Sequence, residues 1–200
     1  MRLFFNTLLI TISIVLLSSC SRDKSTPPVE NTYEGTMQNG WDSFSEGQYE
    51  AAKASFTEAK EMDITQADAF SALGWTLLMQ DSIEQAIIQF NIGTQKLNVP
   101  ADLYAGWAFV LNQQTNYQAS TAKALFALSI ESEWQFSHGV VYSQRTLYAL
   151  LAANYFLTGN FSESLFYIKK LNEDFTADIY SPSGQAALAQ QIEYYSQSNG

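Results

Sequence analysis

The chain has 200 residues, 46% of them apolar and 14% aromatic, enough for one core of ~100–150 residues with appendages and too short for two comfortable domains. Ten Lys and Arg stand against 20 Asp and Glu, and the resulting net charge of −10 argues against nucleic acid and against a polybasic membrane patch. One Cys and one His exclude a disulfide framework within the chain and leave too few ligands for a Cys/His zinc site, so neither metal nor other cofactor is expected.

Arg2 is the only charge before Arg22. Leu3 to Leu17 is a nearly unbroken apolar run, closed by Ser18-Ser19-Cys20. As a helix it rises ~22 Å, short of the ~30 Å hydrocarbon core. A positive start, a short apolar run and small residues at its end make residues 1–19 a secretory signal peptide. Leu17-Ser18-Ser19-Cys20 resembles the lipobox of bacterial lipoproteins. That resemblance implies cleavage before Cys20, lipid on its thiol, and stable membrane anchoring through two or more acyl chains. Ser21 in the next position looks like an outer-membrane destination, facing the periplasm. The polar segment that follows, with Pro27-Pro28 at its centre, cannot bury enough surface to order itself, so residues 20–32 are expected to be a lipidated tether.

A repeat begins at Tyr33. Ala67-Asp68-Ala69-Phe70 recurs 34 residues later as Ala101-Asp102-Leu103-Tyr104, and Gly40-Trp41 recurs as Gly74-Trp75. The same step aligns small residues at Gly40, Gly74 and Ala108, and again at Ala52, Ala86 and Ser120. A fourth copy follows an insertion of about ten residues, with Ala152, Phe161 and Ser164 in the matching places. Within each copy the apolar spacing is helical, as in Phe70, Leu73, Leu77 and Leu78, then Ala86, Ile87 and Phe90. Gln80-Asp81-Ser82 separates the two helices of copy two, where Asp81 or Ser82 can cap the second helix. Ser45-Glu46-Gly47-Gln48 and Thr158-Gly159-Asn160 make the corresponding breaks in copies one and four.

A 34-residue helix hairpin with small residues at these two places resembles the tetratricopeptide repeat (TPR). The resemblance covers residues 33–178, in copies 33–66, 67–100, 101–134 and 145–178. Copies three and four are degenerate, with Ala124 in place of the large aromatic of the second helix and Ser120 and Ser164 in place of Ala. The fold it implies is all-α: a right-handed superhelical solenoid of about four hairpins. The insertion Gln135–Gln144 is expected to lengthen the first helix of copy four backwards to about Val140. Ser181-Pro182-Ser183-Gly184 then opens a final helix from Gln185, and residues 179–200 are a capping helix and tail.

Little in the chain speaks for catalysis. It holds no Gly-rich phosphate loop, HExxH, GxSxG or Cys-x-x-Cys, and the lone His138 reads as a surface residue. Glu131/Glu133 and Glu173/Asp174 read as solvating charges, so the chain is not expected to be an enzyme.

The resemblance instead implies binding, because the first helix of each TPR hairpin lines a concave face that holds peptides or partner helices. Carried over by position, that face includes Trp41, Phe44, Trp75, Leu78, Met79, Phe109, Asn112, Ala153 and Phe156. Trp41, Trp75 and Phe109 recur at the repeat period and would form a row, either exposed as interaction hot spots or buried as plugs between hairpins. The first helices of copies one to three lack Lys and Arg, which argues against gripping a C-terminal carboxylate. An acidic, aromatic groove should prefer apolar or basic segments. The expected function is therefore a membrane-anchored, non-catalytic adaptor of the cell envelope with a protein or peptide partner. Similar lipoproteins of this fold assist outer-membrane protein assembly, pilus or secretin assembly, or cell-wall enzyme complexes. The alternative is a self-associating structural lipoprotein whose aromatic groove is an oligomer interface.

Overall fold

Small residues at the 34-residue step decide how the helices pair. The computed structural model describes residues 31–198, so the expected signal peptide, Cys20 and nearly all of the expected tether lie outside the described residues. Eight helices form four hairpins: α1 (Tyr33–Ser45) with α2 (Tyr49–Met62), α3 (Ala67–Met79) with α4 (Ile83–Gly93), α5 (Ala101–Gln113) with α6 (Tyr117–Ile130), and α7 (Gln144–Leu157) with α8 (Phe161–Leu171). A last helix, α9 (Pro182–Ser198), follows. None of the described helices is long and apolar enough to cross a membrane.

In the first two hairpins a glycine of the first helix meets a ring of the second. A Cβ on Gly40 would sit 2.3 Å from the Phe56 ring, and one on Gly74 would sit 2.4 Å from the Phe90 ring. Real Cβ contacts are not that short, so only glycine lets these rings reach the helix backbone. The third and fourth hairpins use another device. Ser120 Oγ donates to the Ala108 carbonyl at 2.8 Å, and Ser164 Oγ donates to the Ala152 carbonyl at 2.8 Å. Both serines are fully buried, and these bonds satisfy hydroxyls that would otherwise be orphaned.

The turns inside the hairpins also repeat. Gly47, Asp81, Thr115 and Gly159 occupy one position and share positive φ, between 57° and 79°. The next amide then reaches back across the turn in each copy: Gln48 to Ser43, Ser82 to Leu77, Asn116 to Leu111 and Asn160 to Tyr155, at 2.8–2.9 Å. This satisfies carbonyls at the end of the first helix. Asp81 is thus the left-handed turn residue, and Ser82 occupies the cap position of α4 without a side-chain cap bond.

Each first helix packs on its own partner, on the second helix before it and on the first helices of neighbouring hairpins, while the second helices make no close backbone approach to one another. Inner helices that converge and outer helices that diverge make a curved stack, with α1, α3, α5 and α7 on the concave side. A continuous core runs through it from Met37 to Leu151. A second core of Ala149, Ala152, Ile168, Leu171, Leu188 and Ile192 seals α9 against α7 and α8. Helix α9 begins three residues earlier than expected, because Pro182 fits the first helical turn and Ser181 Oγ accepts from the Gly184 amide. At the other end the final two residues of the expected tether are tied down. Thr32 caps α1 through Gly35, and Asn31 bonds Glu58 and Thr36.

The insertion departs most from expectation. Helix α7 does not extend back to Val140 but starts at Gln144, where Ser143 and Thr146 form a reciprocal capping box. Residues 131–143 are non-helical and fold back over the concave face.

Candidate binding face

The insertion makes a short strap. Gln135 and Ser143 form an antiparallel bridge, the Phe136 amide donates to the Tyr142 carbonyl at 2.9 Å, and the Gln144 amide donates to the Trp134 carbonyl at 2.6 Å. In extended backbone successive side chains alternate. Trp134 and Phe136 accordingly go into the core and His138 is half-buried, while Gln135 and Ser137 are exposed.

The buried residues of the strap land on the expected groove. Phe136 lies 4.2 Å from Trp75, 5.9 Å from Trp41 and 6.0 Å from Phe44, measured between ring centroids. His138 lies flat on Trp41 at 3.6 Å with an interplanar angle of 7°. Gly139, at φ +79°, presses on Ser45 so closely that a Cβ would come within 2.8 Å of its Cα. Tyr142, on the return, stacks on Phe109 at 5.0 Å.

The row of aromatics is therefore not an exposed stripe. Trp75 is fully buried, with its indole Nε1 donating to the Asp102 carbonyl at 2.9 Å. Phe44 and Leu78 are buried as well, and Trp41 is half-covered beneath His138. The reading of His138 as a surface residue is corrected in the same way: burial holds its pKa below the usual histidine value. Phe156 packs edge-on against Phe161 at 5.2 Å.

Beyond the strap the concave face stays accessible. Two adjoining hollows of about 280 and 250 Å³ share Phe109, Asn112 and Tyr142. The first reaches Leu78, Met79 and Gln113; the second reaches Thr146, Leu150, Ala153 and Tyr195. No lining residue is charged, which corrects the expectation of an acidic groove. Its floor is a polar ladder. Asn112 Nδ2 donates to Asn154 Oδ1 at 2.6 Å, and Asn154 Nδ2 donates to Ser120 Oγ at 2.8 Å. That arrangement fixes the Asn112 amide and leaves its Oδ1 as an acceptor on a wall that also carries Thr146, Gln113 and Ser196.

One half-buried carboxylate serves the strap. Asp102 Oδ1 accepts from Trp134 Nε1 at 2.6 Å. Burial raises its pKa, the indole bond opposes that rise, and Glu131 adds to it. Among the described residues no cluster of three or more His, Cys, Asp or Glu could hold a metal.

No family model matches the chain, and no curated protein does. Solved structures do resemble it. YrrB, described as a TPR protein with an unusual peptide-binding site, superposes with a TM-score of 0.64 at 13% identity, covering 83% of this chain and 87% of that one. PilF of Pseudomonas aeruginosa gives 0.61 at 17% identity, over 84% of this chain and 76% of that one. MamA gives 0.59 at 22% identity, over 72% and 78%. The chain has the tetratricopeptide fold.

Within that TPR fold the strap is a separate addition. The 34-residue unit accounts for the four hairpins, and the extra residues between α6 and α7 account for the strap. The repeat period places Trp41, Trp75 and Phe109 equivalently, but only the strap decides which of them meets solvent. That difference came from a segment with no counterpart in the other copies.

Proposed function

We propose that the protein is a non-catalytic scaffold that binds an extended apolar segment of a partner protein along α3, α5 and α7. The observation that carries this reading is the open half of the concave face. It is uncharged, aromatic at Phe109 and Tyr142, and supplied with one fixed acceptor at Asn112. Such a surface desolvates at low cost and can still bond a peptide N–H, which is how a groove holds a chain without reading its charge. A second part of the reading concerns location. The lipobox-like Leu17-Ser18-Ser19-Cys20 after a signal-length apolar run supports export and lipid anchoring at Cys20, with the domain held at the periplasmic side of the outer membrane. Self-association through the aromatic row is the weaker reading, because Trp75 has no exposed surface to offer a second copy.

A photo-crosslinking amino acid placed at Leu150 in the native host tests the groove. A discrete adduct is expected there, absent when the probe sits at Ile88 on the outer layer and lost when Ala153→Arg fills the groove. Equal labelling from both positions counts against the groove. For the anchor, Cys20→Ala is expected to release the protein from the membrane fraction, and undiminished membrane partition would remove that part of the reading.

A further inference from the structure

The segment from Trp134 to His138 behaves like a bound peptide. It is extended, and its aromatic side chains point into the concave face at alternate positions. Its partners come from three different inner helices: Trp41 and Phe44 on α1, Trp75 on α3 and Asp102 on α5. Its main-chain bonds run to the strap's own return and root, with Phe136 donating to Tyr142, Gln144 to Trp134 and Trp134 to Glu131, so side chains make the grip on α1, α3 and α5. The scaffold in turn offers it a dedicated group, the half-buried Asp102 carboxylate that receives the Trp134 indole. The hairpins meet without its help, since α5 and α6 both pack directly on α7. Its outer end lies at the surface: Val141 is 86% exposed, and the chain turns at Gly139 against Ser45.

We propose that residues 134–138 are a ligand bound in cis, and that the face beneath them is a second recognition site for an extended segment with aromatic residues at alternate positions. The occupant in trans is a partner segment of that alternation, led by an indole that can reach Asp102. It enters by displacing the strap, which lifts from α1 at its outer end while α6 and α7 remain in place. The inference rests on the concave face being the binding face. It concerns the closed half of that face, where the groove at Leu150 concerns the open half.

The test uses the full chain with Trp134→Ser and Phe136→Ser, which takes the two buried side chains off the strap and frees Asp102 for the peptide's indole. The probe is a fluorescein-labelled peptide of this chain's residues 134–142, and a control peptide has the same composition with its aromatics adjacent. The proposal expects the double variant to bind the alternating peptide about tenfold more tightly than the parent, and to discriminate against the control by a similar factor. A helical, cooperatively melting double variant that binds neither peptide, or both alike, overturns it.

If the double variant loses its helicity, a second arm decides. Gly139→Val puts a Cβ within 2.8 Å of the Ser45 backbone at φ +79° and so forces the strap off α1 without touching its inward side chains. This variant is expected to bind the alternating peptide about tenfold more tightly than the parent, and affinity equal to the parent's overturns the proposal. An overturned strap with a surviving Leu150 adduct removes this inference alone. Loss of that adduct in the parent removes the groove reading beneath it.

Discussion

In the first two hairpins a ring fills the space that a glycine leaves, Phe56 against Gly40 and Phe90 against Gly74. In the last two a buried serine hydroxyl reaches the opposite backbone, Ser120 to Ala108 and Ser164 to Ala152. The concave faces differ in parallel. Toward the first hairpin the face is aromatic and closed by the strap, whereas toward the last it is open, uncharged and floored by Asn112 and Asn154. One backbone period thus supports two interiors and two surfaces, and what fills the positions matters more than their spacing.

The comparison can be broken most severely at Trp75. Trp75→Ala removes a fully buried indole from beneath the strap and is expected to cost about 3–5 kcal/mol, read as a lowered denaturant midpoint. Gly74→Ala comes next. Its methyl would meet the Phe90 ring, and a loss of about 2 kcal/mol is expected where the same helix-favouring change at an exposed helical site would stabilise. Ser120→Ala probes the other half. It strands the Asn154 amide in the core, and a loss of about 1 kcal/mol is expected in thermal unfolding.

The smallest effect is on pH. The pKa of His138 is lowered by burial in the folded state, so the unfolded or undocked strap binds the proton more readily. Docking is fully favoured above the ordinary histidine value near ~6.5 and weakens as pH falls through it toward the folded pKa. Hydrogen exchange of the strap amides, corrected for intrinsic rate, is expected to quicken from pH 7.5 to 5.5 in the parent. It should stay level in His138→Phe, which keeps a ring on Trp41 and has no proton to gain. The open half, which holds no histidine, should show no such change.

The hairpins were legible because their physics is local. A small residue every 34 positions, with a turn between two helical runs, is enough to place Gly40, Gly74, Ala108 and Ala152 at helix crossings. The same reasoning placed Phe109, Asn112 and Ala153 on a concave face, where the structure puts them beside the groove. It failed at the insertion, where helical periodicity was extended past its support. Two signals there point the other way. Trp134, Phe136 and His138 alternate with Gln135 and Ser137 at the period of an extended strand, and Ser143 with Thr146 has the spacing of a capping box. Even with both signals read, the destination of the strap was beyond reach. That it lies across Trp41 and Trp75 depends on the curvature of the whole stack. The ladder from Asn112 to Asn154 was hidden for the same reason, since its two members belong to different hairpins.

The contact between His138 and Trp41 has a further consequence. A solenoid is close to one-dimensional: each hairpin leans only on its neighbours, and the end units fray first. Here a segment rooted before the fourth hairpin is fastened to the first, and Gly139 against Ser45 is its outermost hold. The stack is thereby closed into a loop in its network of contacts, and α1 cannot peel away without also releasing the strap. Unfolding should then proceed as one event rather than as a progressive loss from the N-terminal end. Folding, for its part, must await a tie between distant parts of the chain that a plain array of hairpins would not require.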